Sequence, residues 1–294
     1  MKYLVIGGTG NVGSQVVREL LARGQQVRVL TRHPGKAAAL GSGIEIAKGD
    51  LLDPQTLNSL YDGVDGAFLV SSVSPTESQE GLMAVTAARV AKLKRIVYLS
   101  VQHADRAIHL PHFGSKFGIE AAIKQSGIPF TILRPSNFHQ NDYYFRDVLQ
   151  QYGVYPQPLG SVGVSRVDVR DIAEIAALTL TQPGHDGRTY DLVGPRALKG
   201  PETAELWGKA LGRPIAYAGD DLEAWEKGSA PYFAPAVLYD FSHMYAHFQK
   251  HGLVGTPEDL ATMTRLLGHV PRSFEAFAAE TAKVWSEQGV AAKS

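Results

Sequence analysis

The stretch KYLVIGGTGNVGSQVVREL, residues 2–20, does most to limit what this chain can fold into. A short strand-like run ends at glycines 7, 10 and 13, and a helical pattern follows from Val12 to Arg23. In a strand–loop–helix with the spacing GxxGxxG, Gly7 permits the tight turn. Gly10 lets the backbone approach a pyrophosphate, and Gly13 lets the helix pack closely on the strand. The amides at the helix start, in the segment Thr9, Asn11 and Val12, then face an anion. A glycine triplet alone is a weak signal, but one set between a strand and a helix points to a dinucleotide-binding βαβ unit.

The rest of the first half supports this frame. Strand-like runs QVRVLTR, IEIAKGD, DGAFLVSS, RIVYLSV and PFTILRPS alternate with helical stretches: PQTLNSLYD, Gln79–Lys92, and the segment after Pro111. Short apolar runs between helices are strands buried on both faces, as in a parallel sheet covered by helices. The pattern changes after Ser136, where NFHQNDYYFRDVLQQYGVYPQPLG is aromatic and irregular. SRVDVRDIAEIAALTLTQP then reads as a short strand and a helix, GRTYDLVGP as a strand, and the chain from Pro195 onward as mainly helical. The expected fold is α/β, a doubly wound parallel (Rossmann) sheet with a smaller, mainly helical carboxy-terminal domain. Residues 1–136 and 163–194 are assigned to the nucleotide-binding domain, and 137–162 and 195–294 to the smaller, substrate-side one.

The second strand bears on which dinucleotide. An NAD site usually carries an acid there, about 20 residues past the loop, to hold the ribose hydroxyls. Here the strand ends Thr31-Arg32-His33, with Lys36 beyond. Two cations and no carboxylate suit a 2′-phosphate, so NADP(H) is the expected cofactor. Asp50 and Leu51, in GDLLD after the third strand, are placed to touch the adenine, although Asp50 also suits a helix cap. Ser71, at the end of DGAFLVSS, completes the candidate contacts.

Composition excludes several other classes. Lys+Arg and Asp+Glu balance at 29 each, so no global field attracts nucleic acid or an anionic membrane. There are no cysteines for disulfides, thiolate catalysis or metal ligation. His103, His109 and His139 have no metal-ligand spacing, and no metal is expected. No apolar run approaches the ~18 residues that span a bilayer, and MKYLVIGG enters a strand at once. A soluble, cytoplasmic protein, monomeric or homodimeric, is the expectation.

GGTGNVG, TRHPGK, KGDLLDP, HFGSKFGIEAAIKQSGIPFTILRPSNF and VDVRDIA together resemble the NmrA-like atypical short-chain dehydrogenases/reductases. The resemblance continues into GRTYDLVGP and PRSFEAFAAE and so covers most of the chain. The glycine motif is shared by the whole superfamily, whereas the HFGSK helix followed by TILRPSNF is much more specific. The resemblance implies a Rossmann domain, a small helical domain and a ligand cleft between them. It also implies that Lys116 approaches the nicotinamide ribose and that Phe138 lines the nicotinamide side. Some members of the family are NADPH-dependent reductases of quinones or other conjugated aromatic compounds. Others bind NADP(H) and report redox state to a partner without known turnover.

His112, Lys116 and Glu120 are spaced by four and share one face of a helix that Pro111 can start. The wider superfamily has YxxxK here; this chain has HxxxK. Reducing a plain ketone makes an alkoxide, which needs a nearby acid. Hydride addition to a quinone makes a phenolate, whose conjugate acid has a pKa of about 10, so water or a weak acid can finish the reaction. The missing tyrosine therefore fits a quinone-like acceptor. Lys116 is the candidate for oxyanion stabilisation. His112 is the candidate proton donor, because imidazole exists in both forms near neutral pH; a helix-start residue with no chemical part fits equally well. For Lys116 the bland alternative is a surface ion pair with Glu120. Ser100 sits where the superfamily's polar helper stands, or is an ordinary strand-end serine. The leading functional reading is a quinone-type reductase, and the other is an NADP(H)-sensing regulator.

Overall fold

Several strand segments are short and largely apolar, and burial explains why. In β1 (Lys2–Ile6) every residue after Lys2 is buried. The computed structural model describes residues 1–291, with side chains through Gln288. Along the chain β1 is followed by α1 (Asn11–Ala22), β2 (Gln26–Thr31), α2 (Pro34–Ala38), β3 (Ile44–Lys48) and α3 (Pro54–Ser59). Next come β4 (Gly66–Leu69), α4 (Glu77–Val90), β5 (Ile96–Leu99), α5 (Pro111–Gln125) and β6 (Phe130–Pro135). β4 and β5 are buried at every residue. Strands apolar on both sides must be covered on both sides. Accordingly α1 packs with α6 (Val169–Thr181), and α4 packs with α5. Together with β8 (Arg188–Leu192) the strands form one parallel sheet in the order β3-β2-β1-β4-β5-β6-β8. Only β3, at the edge, is mostly uncovered. This is the doubly wound order, extended by one strand, and its sequence reverses between β1 and β4.

The chain divides into two compact units, Met1–Pro135 with Val169–Leu192, and Ser136–Asp168 with Val193–Ser294. Residues 163–168 therefore group with the second unit and not with the sheet. The expected strand in SRVDV is absent there: Val164 and Val167 make only isolated bridges, to Leu198, Leu253 and Phe138, because the backbone bonds of this segment go to three separate stretches, Val164 N to Leu198 O, Ser165 N to Leu253 O and Val167 N to Asn137 O.

The second unit begins with a 3-10 segment, His139–Phe145, and a π segment, Val148–Tyr152. β7 (Val154–Tyr155) and β9 (Ala216–Tyr217) pair in parallel. The helices are α7 (Gly200–Leu211), α8 (Leu222–Ser229), α9 (Pro235–His251), α10 (Pro257–Leu267) and α11 (Phe274–Ala291). The centre of the unit is ionic. Asp142 takes a bidentate pair from Arg166, at 2.6 and 3.1 Å, and further bonds from Gln157 Nε2 at 2.5 Å and Trp207 Nε1 at 2.8 Å. Arg166 also donates to Tyr155 and to the carbonyls of Phe138 and His139, and its guanidinium lies 4.8 Å from the Phe274 ring centre. So the aromatic stretch after Ser136 sends His139 and Asp142 inward and leaves Tyr143 and Tyr144 exposed. Among the described residues no helix is long and apolar enough to cross a membrane.

Candidate functional site

The glycine loop joins β1 to α1 at the point where strand order reverses. Gly7 has φ +80°, and an added Cβ would lie 2.6 Å from Val70 Cγ1 and 2.8 Å from Val70 O. At Gly13 an added Cβ would lie 2.2 Å from the Gly7 carbonyl oxygen, so helix and loop meet at backbone contact. At Gly10 the only near atom is Gly7 O at 3.4 Å, which leaves its outer side open. Ser14 N donates to Gly10 O at 3.0 Å, the first helical bond of α1. The amides before it have no partner within the helix, no side chain caps them, and the first turn carries no acid. Thr9, Gly10 and Asn11 are exposed, whereas Val12 and Gly13 are buried against the sheet. This arrangement fits a pyrophosphate.

At the end of the neighbouring β2, Thr31 is buried and Arg32 and Lys36 are exposed. Thr31 Oγ1 accepts from the His33 amide at 3.0 Å, which turns the chain into α2. Arg32 stands 3.9 Å from Asp50, a solvent-exposed pair of little strength that a ligand can replace. Asp50 Oδ1 accepts from the Leu52 amide at 2.9 Å, and it is Asp53, not Asp50, that caps α3. The Leu51 side chain is buried in the same core cluster as Leu4, Ile6 and Leu30, so it offers a ligand chiefly backbone.

Beyond β4 lies a residue that the sequence did not single out. Glu77, first in α4, is 1% exposed. Its Oε1 accepts from Lys116 Nζ at 2.7 Å and from Ser71 Oγ at 2.9 Å. Its Oε2 is buried without a hydrogen-bond partner among the described residues. The expected face of α5 is real: His112, Lys116 and Glu120 are all buried. His112 packs edge-on against Phe113, with ring centres 4.7 Å apart. Lys116 does not pair with Glu120 but with Glu77, because Glu120 is occupied elsewhere. Glu120 Oε1 accepts from Ser100 Oγ at 2.6 Å and Arg134 Nε at 2.8 Å. Its Oε2 accepts from Arg134 Nη2 at 2.7 Å and Lys124 Nζ at 3.3 Å. Arg134 in turn pairs with Asp105 at 3.1 Å. The hydroxyl proton of Ser100 is thus committed to Glu120. An acid at a helix start reads as a dipole complement; only the need of a buried lysine for a counter-charge would have drawn attention to Glu77.

Burial pushes the Glu120 carboxyl up, but the fork of Arg134 and the Ser100 hydroxyl outweigh it and hold the group below its ordinary range. A depressed acid contributes stability that is complete above the unfolded value, about pH 4.3, and lost as pH falls through the folded one. Thermal unfolding of the wild type should therefore steepen in its pH dependence below that point, and Glu120→Gln should flatten this acid limb. Identical acid limbs would show the network to be of no consequence. Burial, then the Glu77 charge, pushes the neighbouring Tyr98 phenol far up, so it stays neutral.

Phe138 belongs to the second unit, where its carbonyl accepts from Arg166 at 2.8 Å.

The NmrA-like family model matches residues 1–286. An NAD(P)H azoreductase of Xenophilus azovorans is 33% identical over 279 residues, covering 94% of this chain and 96% of its own. A (4-alkanoyl-5-oxo-2,5-dihydrofuran-3-yl)methyl phosphate reductase of Streptomyces griseus is 30% identical over 287 residues, covering 97% and 99%. The structure of an NADPH-dependent quinone oxidoreductase from Escherichia coli, complexed with NADPH, superposes with a TM-score of 0.84 at 25% identity, covering 96% of this chain and 99% of that one. The chain belongs to the NmrA-like family.

Proposed function

We propose that this chain is an NADP(H)-dependent reductase that delivers hydride to a conjugated aromatic acceptor, quinones foremost. One juxtaposition carries the reading. The uncapped start of α1, the exposed cations after β2 and the buried Lys116–Glu77 pair all belong to segments that leave the carboxyl ends of the strands. In an open α/β sheet that edge, at the reversal of strand order, is where ligands bind. The relatives' names supply the reaction class, since an azo compound, a quinone and an oxo-dihydrofuran are all reducible conjugated systems.

The dinucleotide, when bound, supplies the hydride. This chain's residues bind and orient. The loop residues Gly7, Thr9 and Gly10 and the first-turn amides of α1, at Asn11, Val12 and Gly13, hold the pyrophosphate. Arg32 and Lys36 meet the 2′-phosphate, Asp50 and the Leu51 backbone border the adenine, and Ser71 fixes the floor beside β4. Lys116 holds the nicotinamide ribose and places positive charge near the acceptor oxygen as it becomes anionic. His112 replaces the superfamily's tyrosine and serves as an auxiliary proton donor that a phenolate product does not strictly require.

The test is NADPH oxidation across a panel of quinones and azo dyes, where steady turnover of at least one class is expected. Tight NADPH binding with no oxidation anywhere on the panel would make the chain a redox-sensing regulator. Cofactor choice is tested separately. The wild type should prefer NADPH over NADH, and Arg32→Ala should erase about tenfold to a hundredfold of that preference, the worth of one charged hydrogen bond. Equal affinities of the wild type for the two cofactors would sink the assignment of Arg32 and Lys36.

A further inference from the structure

We infer that Glu77 is a positioning residue for the reductase site: it sets the place and direction of the Lys116 ammonium, and through it the grip on the nicotinamide ribose. The inference rests on the proposed cofactor reading and extends it to a residue outside the HxxxK pattern. Two buried glutamates lie on this side of the sheet, and they are used differently. Glu120 receives four side-chain bonds spread over both oxygens, a fully satisfied arrangement that locks α5 to β5 and β6. Glu77 receives both of its bonds on one oxygen, and its other oxygen is buried without a partner among the described residues. A buried carboxylate left half-satisfied costs stability, so packing alone does not account for it.

Its surroundings suit a positioning role. Ser71, on the segment leaving β4, holds the carboxylate, and the carboxylate holds the lysine, whose side chain is 8% exposed. Lys116 has three donors and only one of them goes to Glu77, which leaves two for ligand oxygens. A flexible lysine stem is a poor clamp on its own. Anchored at both ends, by α5 and by Glu77, it becomes a fixed donor set.

The experiment is a ligand titration on wild type, Glu77→Gln, Lys116→Met and the double variant, read by isothermal titration calorimetry and not by turnover. Two ligands are compared: NADPH, and adenosine 2′,5′-bisphosphate, which lacks the nicotinamide ribose. Glu77→Gln should weaken NADPH about tenfold or more and leave the bisphosphate unchanged. In the Lys116→Met background the same change should add nothing, since residues that act through one another are not additive. Glu77→Asp, which keeps the charge, should recover part of the loss. If Glu77→Gln does not fold, Lys116→Met and the uncharged double variant still carry the test and should bind NADPH equally weakly. Equal loss for both ligands would make Glu77 merely structural. A further loss on top of Lys116→Met, or no loss in Glu77→Gln, would overturn the inference while leaving the cofactor reading intact. A wild type that does not bind NADPH would overturn both.

Discussion

Lys116→Ala should cost the protein about 3–5 kcal/mol of folding stability, the usual penalty for stripping one partner from a buried ion pair, together with most of its affinity for NADPH. The stability loss arises at Glu77, which is 1% exposed and would be left as a buried carboxylate with only the Ser71 hydroxyl for company. On the proposed reading, the affinity loss arises at the ribose. Denaturant unfolding and cofactor titration separate the two. Adding Glu77→Gln to Lys116→Ala should return much of the stability and none of the affinity. His112→Phe, by contrast, swaps one ring for another at a site already packed edge-on against Phe113. It should leave NADPH binding nearly intact and slow quinone turnover only modestly. If His112→Phe abolishes turnover while Lys116→Ala is mild, the two roles are reversed.

Asp142→Ala should destabilise the second unit by a similar amount, about 3–5 kcal/mol, although it lies outside the proposed cofactor site. It removes the counter-charge of the wholly buried Arg166 and leaves Trp207 Nε1 and Gln157 Nε2 without their acceptor. Asp142→Asn keeps the shape but not the charge and should fall between wild type and alanine. Urea unfolding measures the effect; a loss under about 1 kcal/mol, the scale of an exposed pair, would mean that Arg166 finds water or another partner.

The sheet could be read from the sequence because its signal is local. Apolar runs such as GAFL and IVYL are covered on both sides, and glycine spacing records steric contacts within one turn. The buried face of α5 was legible for the same reason, since residues four apart share a face whatever they pack against. What the face touches is not local. Lys116 finds its counter-charge 39 positions away in Glu77, and Glu120 finds Arg134, 14 positions on, in β6. An i,i+4 lysine–glutamate spacing therefore suggests a pair that the tertiary structure dissolves, because a planar guanidinium matches a buried carboxylate better than an ammonium does. Likewise SRVDV has strand composition, yet its backbone groups bond to three separate stretches and no ladder forms.

The chain's three tryptophans, Trp207, Trp225 and Trp285, all lie in the second unit, two of them stacked 5.2 Å apart at an interplanar angle of 2°. The glycine loop lies in the other unit. Intrinsic fluorescence is therefore a reporter on one half of the molecule, while a nucleotide on the glycine loop is a weight placed on the other. A bound ligand raises the unfolding free energy of whatever unfolds with its site, by RT ln(1 + [L]/Kd). Saturating NADPH that shifts the tryptophan transition in full would show the halves melting as a single cooperative block. A shift confined to far-ultraviolet dichroism would show them melting in sequence. The uneven placement of the indoles thus makes the protein its own two-channel gauge of how far stability gained at the nucleotide spreads.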